Sequence, residues 1–98
     1  MDYRIVWSPS ARADLKSVVL YIAEEDPPAA EKFGLKIIGM VEQAAVFPES
    51  GRVVPEFSIS TVRELILKPY RIVYRIDEES KAIDIARVWH AKRGIPEL

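Results

Sequence analysis

The chain contains no cysteine, so disulfides and thiolate zinc sites are excluded and a cytoplasmic setting is the expectation. It has a single histidine, His90. No metal-ligand spacing, glycine-rich phosphate loop or nucleophile motif occurs, so neither a metal nor a cofactor is expected. No apolar run approaches the roughly 20 residues that a spanning helix needs, and Met1-Asp2-Tyr3-Arg4 lacks the apolar core of a signal peptide. A membrane partner is therefore not expected. Strong charge of either sign is also missing. The net charge is −1, which does not fit a generic nucleic-acid binder.

What is present fits one globular domain spanning 1–98. With 98 residues, 49% apolar and 30% charged, the chain can build a modest core but not two. The charge is unevenly placed: residues 1–60 carry six Lys/Arg against nine Asp/Glu, and residues 61–98 carry eight against six. The first part is thus −3 and the second +2. Any attraction for an anionic partner has to come from a local patch in the second part.

Tyr3-Arg4-Ile5-Val6-Trp7 reads as an opening strand with Tyr3, Ile5 and Trp7 on one face. Ser8 caps a helix whose first residue, Pro9, has no amide hydrogen to leave unpaired. Ala11, Leu15, Val18, Val19 and Ile22 then form an apolar stripe. Asp26-Pro27-Pro28 ends this helix and caps a second, with Ala30, Phe33, Ile37, Val41 and Ala44 as its stripe, ending near Phe47-Pro48. The short joint predicts an antiparallel hairpin. Pro48 to Ser60 reads as an ordered loop, in which Arg52 and Glu56 are loop residues without chemistry.

Three strands are expected near 61–67, 70–77 and 82–90, joined by turns at Lys68-Pro69 and at Asp77-Glu78-Glu79-Ser80, which favour an antiparallel meander. Ile83 and Ile85 share a face that Val88 shares only if a bulge intervenes near Ala86-Arg87. The layout is an α+β fold, β-α-α-β-β-β, with a small antiparallel sheet and a helical hairpin packed on one face. The other face is expected to stay open.

On that face the chain places its arginines. Arg71 and Arg75 leave the same side of a strand with Val73 between them, opposite Tyr70, Ile72, Tyr74 and Ile76. Fixed guanidinium groups can bind phosphate, carboxylate or an acidic peptide. Taken singly, each is a solvated strand residue; taken together with Arg63 or Arg87 on neighbouring strands, they suggest a ligand-facing patch. Glu64 is expected to pair with Arg75 or Arg87 across strands. Trp7, Trp89, Tyr70 and Tyr74 read as core or core-edge aromatics.

In order and spacing, several segments resemble the RelE/ParE superfamily of type II toxin–antitoxin toxins, and its ParE branch in particular. They are Trp7-Ser8 with Ala13-Asp14-Leu15, Tyr21-Ile22, Asp26-Pro27, Phe33, Phe47-Pro48 with Gly51-Arg52, Arg63-Glu64-Leu65, Tyr70 to Arg75, and Val88-Trp89-His90 with Arg93. The resemblance covers nearly the whole chain. It implies a toxin neutralised by a cognate antitoxin, with operator DNA bound only through that antitoxin, and growth inhibition through DNA gyrase. The alternative within the superfamily is cleavage of messenger RNA on the ribosome, and a non-toxic relative that binds only antitoxin is a third outcome.

The nuclease alternative requires a base, a phosphate clamp and an acid. Arg71 matches the superfamily's strand arginine and would be the clamp, with Arg63 and His90 as the other catalytic candidates. Leu65 stands where RelE-type toxins carry a second lysine, no tyrosine follows Tyr74, and Ala91 follows His90 where a related nuclease subgroup has tyrosine. Those departures favour the ParE branch. Without chemistry, His90 is a strand-end histidine that hydrogen-bonds locally near Trp89. For target or antitoxin contacts the candidates are Arg71, Arg75, Arg87, Lys92 and Arg93.

Overall fold

The computed structural model describes residues 2–98. In chain order the elements are β1 (Arg4–Trp7), α1 (Pro9–Ala23), α2 (Pro27–Val46), a 3-10 turn (Pro48–Ser50), β2 (Arg52–Val53), β3 (Val62–Leu67), β4 (Tyr70–Asp77), β5 (Ala82–His90) and a second 3-10 turn (Ala91–Arg93). Both helix starts form as the caps dictate. Ser8 Oγ accepts from Ala11 N at 3.0 Å and Asp26 Oδ1 from Ala29 N at 3.1 Å, each satisfying an amide that the helix itself cannot.

The strands form one five-stranded sheet in the order β1-β5-β4-β3-β2. The β3-β4-β5 meander is antiparallel, as expected, and the sequence of elements is the α+β layout predicted above. Two features were not foreseen. β1 joins the meander beside β5 and runs parallel to it, because the helical hairpin returns the chain across the sheet. Arg52-Val53, read as loop, adds a short edge strand to β3.

Tyr3, Ile5, Trp7, Leu65, Ile72, Tyr74, Ile76, Ile83 and Ile85 face Ala11, Leu15, Phe33, Ile37, Val41 and Ala44 of the helices and form the main core. The register slips between Val73/Arg87 and Tyr74/Ile85, leaving Ala86 as the extra residue. The bulge therefore forms where the parity of Ile83, Ile85 and Val88 required it.

The second face of the sheet departs from expectation. It is open only in part, with Ile66 and Arg75 exposed on it. Val54 and Phe57, from the connection between β2 and β3, pack on Val62 and Val73 as a second small core. The carbonyl of Gly94 meets Trp89 and Arg71 on the same side. The physical reason is apolar content: Val62, Val73 and Trp89 are each under 10% exposed, and leaving them in water would forgo burial of about 25 cal/mol per Å2. Among the described residues no helix is long and apolar enough to cross a membrane.

Candidate functional site

Arg71 is the centre of the covered face. It is only 7% exposed, and its guanidinium donates to four oxygens. Nε reaches Glu64 Oε1 at 2.6 Å. Nη2 and Nη1 fork onto Glu56 Oε1 and Oε2 at 2.6 and 2.9 Å, and Nη1 also approaches Gly94 O at 3.4 Å. The other Glu64 oxygen accepts from Arg52 Nε at 2.6 Å. The result is a row of alternating charge, Arg52-Glu64-Arg71-Glu56, tying β2, β3, β4 and the β2–β3 connection together.

Glu64 is 1% exposed. A carboxylate so placed is tolerable only because two guanidinium groups satisfy it. The Arg71 fork holds the Glu56 carboxyl down to about 2. In return Glu56 and then Glu64 hold the Arg71 proton more tightly than usual, against the opposing effect of burial. Glu64 thus pairs with Arg71 and Arg52, not with Arg75 or Arg87. Arg52 and Glu56 carry structural charge, contrary to their reading as plain loop residues. The signal was faint: two opposite charges flanking Pro55 in a loop already expected to be ordered.

The remaining cations are dispersed. Arg75 shares the Arg71 side of β4 and is exposed, but Val73, under Val54 and Phe57, lies between them. Arg87 reaches past the edge of the sheet to α1, where Nε and Nη2 fork onto Asp14 at 2.8 and 2.9 Å, and Nη1 donates to Glu97 O at 3.0 Å. Hydrogen bonding to Asp14 raises its affinity for the proton. Arg93 stacks over the Trp89 ring at 3.8 Å, and Arg87 lies 4.8 Å from the same ring, both within cation–π range. Lys92 is exposed, and its amide donates to His90 Nδ1 at 3.1 Å. The five cations do not form one continuous patch of free guanidinium groups. Buried apolar area and internal carboxylates separate them.

The nuclease candidates are separated too. His90 lies opposite Tyr70 and Arg63 opposite Tyr74, so both lie on the helical side while Arg71 occupies the other. Tyr70 and Tyr74 are four residues apart, or roughly 13 Å along the strand, and the two candidates flank β4 from opposite neighbours. Arg63 donates to the carbonyls of Ser60, Glu49 and Gly51 at 2.8, 3.1 and 3.1 Å, stitching the loop to β3. The His90 ring sits edge-on to Tyr70 at 5.1 Å, not against Trp89, because adjacent strand residues point to opposite faces. Its Nδ1 accepts the backbone N–H of Lys92. Among the described residues, no group of three His, Cys, Asp or Glu side chains is arranged to hold a metal ion.

Residues 5–95 match the model of the family described as ParE toxin of type II toxin–antitoxin system, parDE. The chain belongs to this family. The ParE-family chain is 36% identical to a protein of Sinorhizobium fredii named as a candidate toxin, Y4kP, over 97% of this chain and 95% of that protein. It is 33% identical to Toxin RelE2 of Caulobacter vibrioides over 92% of this chain and 97% of that protein. Its fold is similar to a chain of the chromosomal ParDE system from P. aeruginosa, with a TM-score of 0.73 and 24% identity over 90% of this chain and 95% of that one. It is also similar to a chain of the RelBE2 toxin–antitoxin complex of Mycobacterium tuberculosis, with a TM-score of 0.66 and 21% identity over 92% of each. This ParE-family chain is accordingly a toxin of the type II toxin–antitoxin class.

Proposed function

We propose that this chain arrests growth by binding a protein target, DNA gyrase, rather than by cutting RNA, and that a cognate antitoxin neutralises it in the cytoplasm and supplies the operator-DNA contacts. The observation that carries the first part is that Arg71, Arg63 and His90 do not converge. A phosphate clamp has to offer its donors to phosphate, whereas here the guanidinium is fitted to carboxylates, with three nitrogens held by Glu56 and Glu64. An acid and base have to meet at one ribose, whereas His90 and Arg63 sit on different strands, on the side opposite Arg71. Binding a protein requires no such convergence. The contact set in this reading is Arg75, Lys92 and Arg93, with Arg87 acting through the shape of the covered face and Arg71 through the carboxylate it holds.

Antitoxin pairing draws support from family membership and from the neighbours being chains of ParDE and RelBE2 assemblies. A ribosomal nuclease remains the second reading because one relative carries the name RelE2. It would require the Glu56 fork to open and His90 to be brought to Arg71. Expression of the chain alone separates the readings. DNA breaks and induction of the SOS response with intact transcripts are expected, and cleaved ribosome-bound transcripts without breaks would reverse the assignment. Absence of any growth defect would mark a relative that only binds antitoxin.

A further inference from the structure

The two carboxylates on Arg71 are not equivalent. Glu64 projects from β3, has a fully buried side chain and is held from its other side by Arg52. Glu56 lies on the turn after Val54, keeps 29% of its side chain exposed, and makes both of its side-chain hydrogen bonds to Arg71. Its neighbours on the turn are fixed independently: Phe57 N and Ser58 N both donate to Val54 O at 3.1 and 3.0 Å, and Phe57 is packed on the second core. The Glu56 carboxylate can therefore rotate off Arg71 about its own side-chain torsions while the backbone stays in place.

The fork it occupies opens into a cavity of about 420 Å3 lined by Arg52, Glu56, Ile66, Lys68, Pro69 and Arg71, among others. Three cations and the Glu56 carboxylate line it, and Glu64 lies buried behind Arg52 and Arg71. With Glu56 in place Arg52, Lys68 and Arg71 exceed Glu56 and Glu64 by one charge, and with Glu56 rotated out the excess becomes two. Ile66 and Pro69 add apolar wall beside the guanidinium, whose fork matches the geometry of a carboxylate.

We propose that this cavity is a carboxylate-binding site whose resident occupant is Glu56, and that an acidic side chain of a protein partner enters it by taking the place of Glu56 on the Arg71 fork. Glu64 stays, keeping Arg71 aimed. The site depends only on this local geometry and holds whether the cellular target is gyrase or the ribosome.

The test is an NMR titration of the Arg71 Nε–H resonance with succinate, and separately with inorganic phosphate at matched ionic strength, in the intact wild-type chain and in Glu56→Gln. The glutamine keeps an acceptor for Arg71 but removes the competing charge. A saturable shift is expected in Glu56→Gln at a succinate concentration at least tenfold below that required by wild type, with phosphate binding more weakly and Lys68→Ala, added to Glu56→Gln, reducing the response. Should Glu56→Gln fail to fold by its melting curve, Glu56→Ala carries the same expectation. A response equal in wild type and variants, or no saturation, overturns the site. Tighter binding of phosphate than of succinate overturns the carboxylate assignment.

Discussion

Arg71 and Glu64 sit diagonally across the β3–β4 pair and share a hydrogen bond of 2.6 Å between Nε and Oε1, almost without solvent. The pair decides how any mutation of Arg71 has to be read. Reversing its charge would place three carboxylates together in a dry site. Removing one partner of a buried pair costs about 3–5 kcal/mol, so Arg71→Glu is expected to lose most of its stability in a urea melt. Loss of toxicity in that variant would report unfolding, not a lost contact. Arg75→Glu is exposed and is expected to shift stability by no more than about 0.5 kcal/mol. Only the Arg75 variant tests contact with the target.

The Glu56–Arg71 fork gives the fold an acid dependence. The Glu56 carboxyl falls from an ordinary value of 4.5 to about 2 because Arg71 hydrogen-bonds its charged form. A depressed folded-state value means stability present above the unfolded value and lost as the pH falls through the folded one. The Glu56 contribution is therefore complete above about pH 4.5 and gone below about pH 2. Glu56→Gln should flatten this part of the stability–pH profile followed by urea denaturation, while leaving the rest of the profile in place. An unchanged slope between these values would show that the fork is not formed in solution.

How far the sequence reveals this molecule depends on the range of each interaction. Ser8, Asp26 and the bulge at Ala86 were legible because caps and strand parity are local rules. Arg71 and Arg75 were correctly placed on the side away from Tyr70 and Tyr74, since alternation along one strand suffices. Their counter-ions were not legible. Glu56 is 15 residues from Arg71 and Asp14 is 73 from Arg87, and no spacing rule links such pairs before the fold brings them together. Covering of the second face was hidden for a related reason: Val54 and Phe57 are too few, and lie in too irregular a segment, to show a period. Family resemblance supplied the class of function from many weak local matches, but it could not reveal that the shared arginine is neutralised here.

Asp14 makes a further test of long-range coupling. It accepts the Arg87 fork and also the amide of Val88 at 3.0 Å, closing the edge of β5 beyond the end of β1. Asp14→Ala leaves a guanidinium and a backbone N–H without their partner, at a cost of about 2–4 kcal/mol. Arg87→Ala in the same background should add much less than it does alone. A double-mutant cycle by urea denaturation measures this coupling, and additive losses would show the pair to be independent.

Gly51 is needed for space, not for backbone freedom, since its φ is −74°. A Cβ there would lie 2.5 Å from Tyr74 Oη and 2.8 Å from Glu64 O. Tyr74 Oη is held in place, donating to Pro48 O at 2.6 Å and accepting from Gly51 N at 3.0 Å. Gly51→Ala is expected to cost about 1–3 kcal/mol as overpacking, read as a lowered melting temperature. Tyr74→Phe should cost less in the Gly51→Ala background than alone, because there it also removes the nearest clash.

Incubation of the purified chain with DNA gyrase, ATP and relaxed plasmid separates action on a protein target from nuclease activity. Wild type is expected to block supercoiling, and Arg75→Glu, folded by its melting curve, to block it at least tenfold less well. Unimpaired supercoiling at saturating wild-type chain, together with cleavage of messenger RNA on added ribosomes, would contradict action on a protein target.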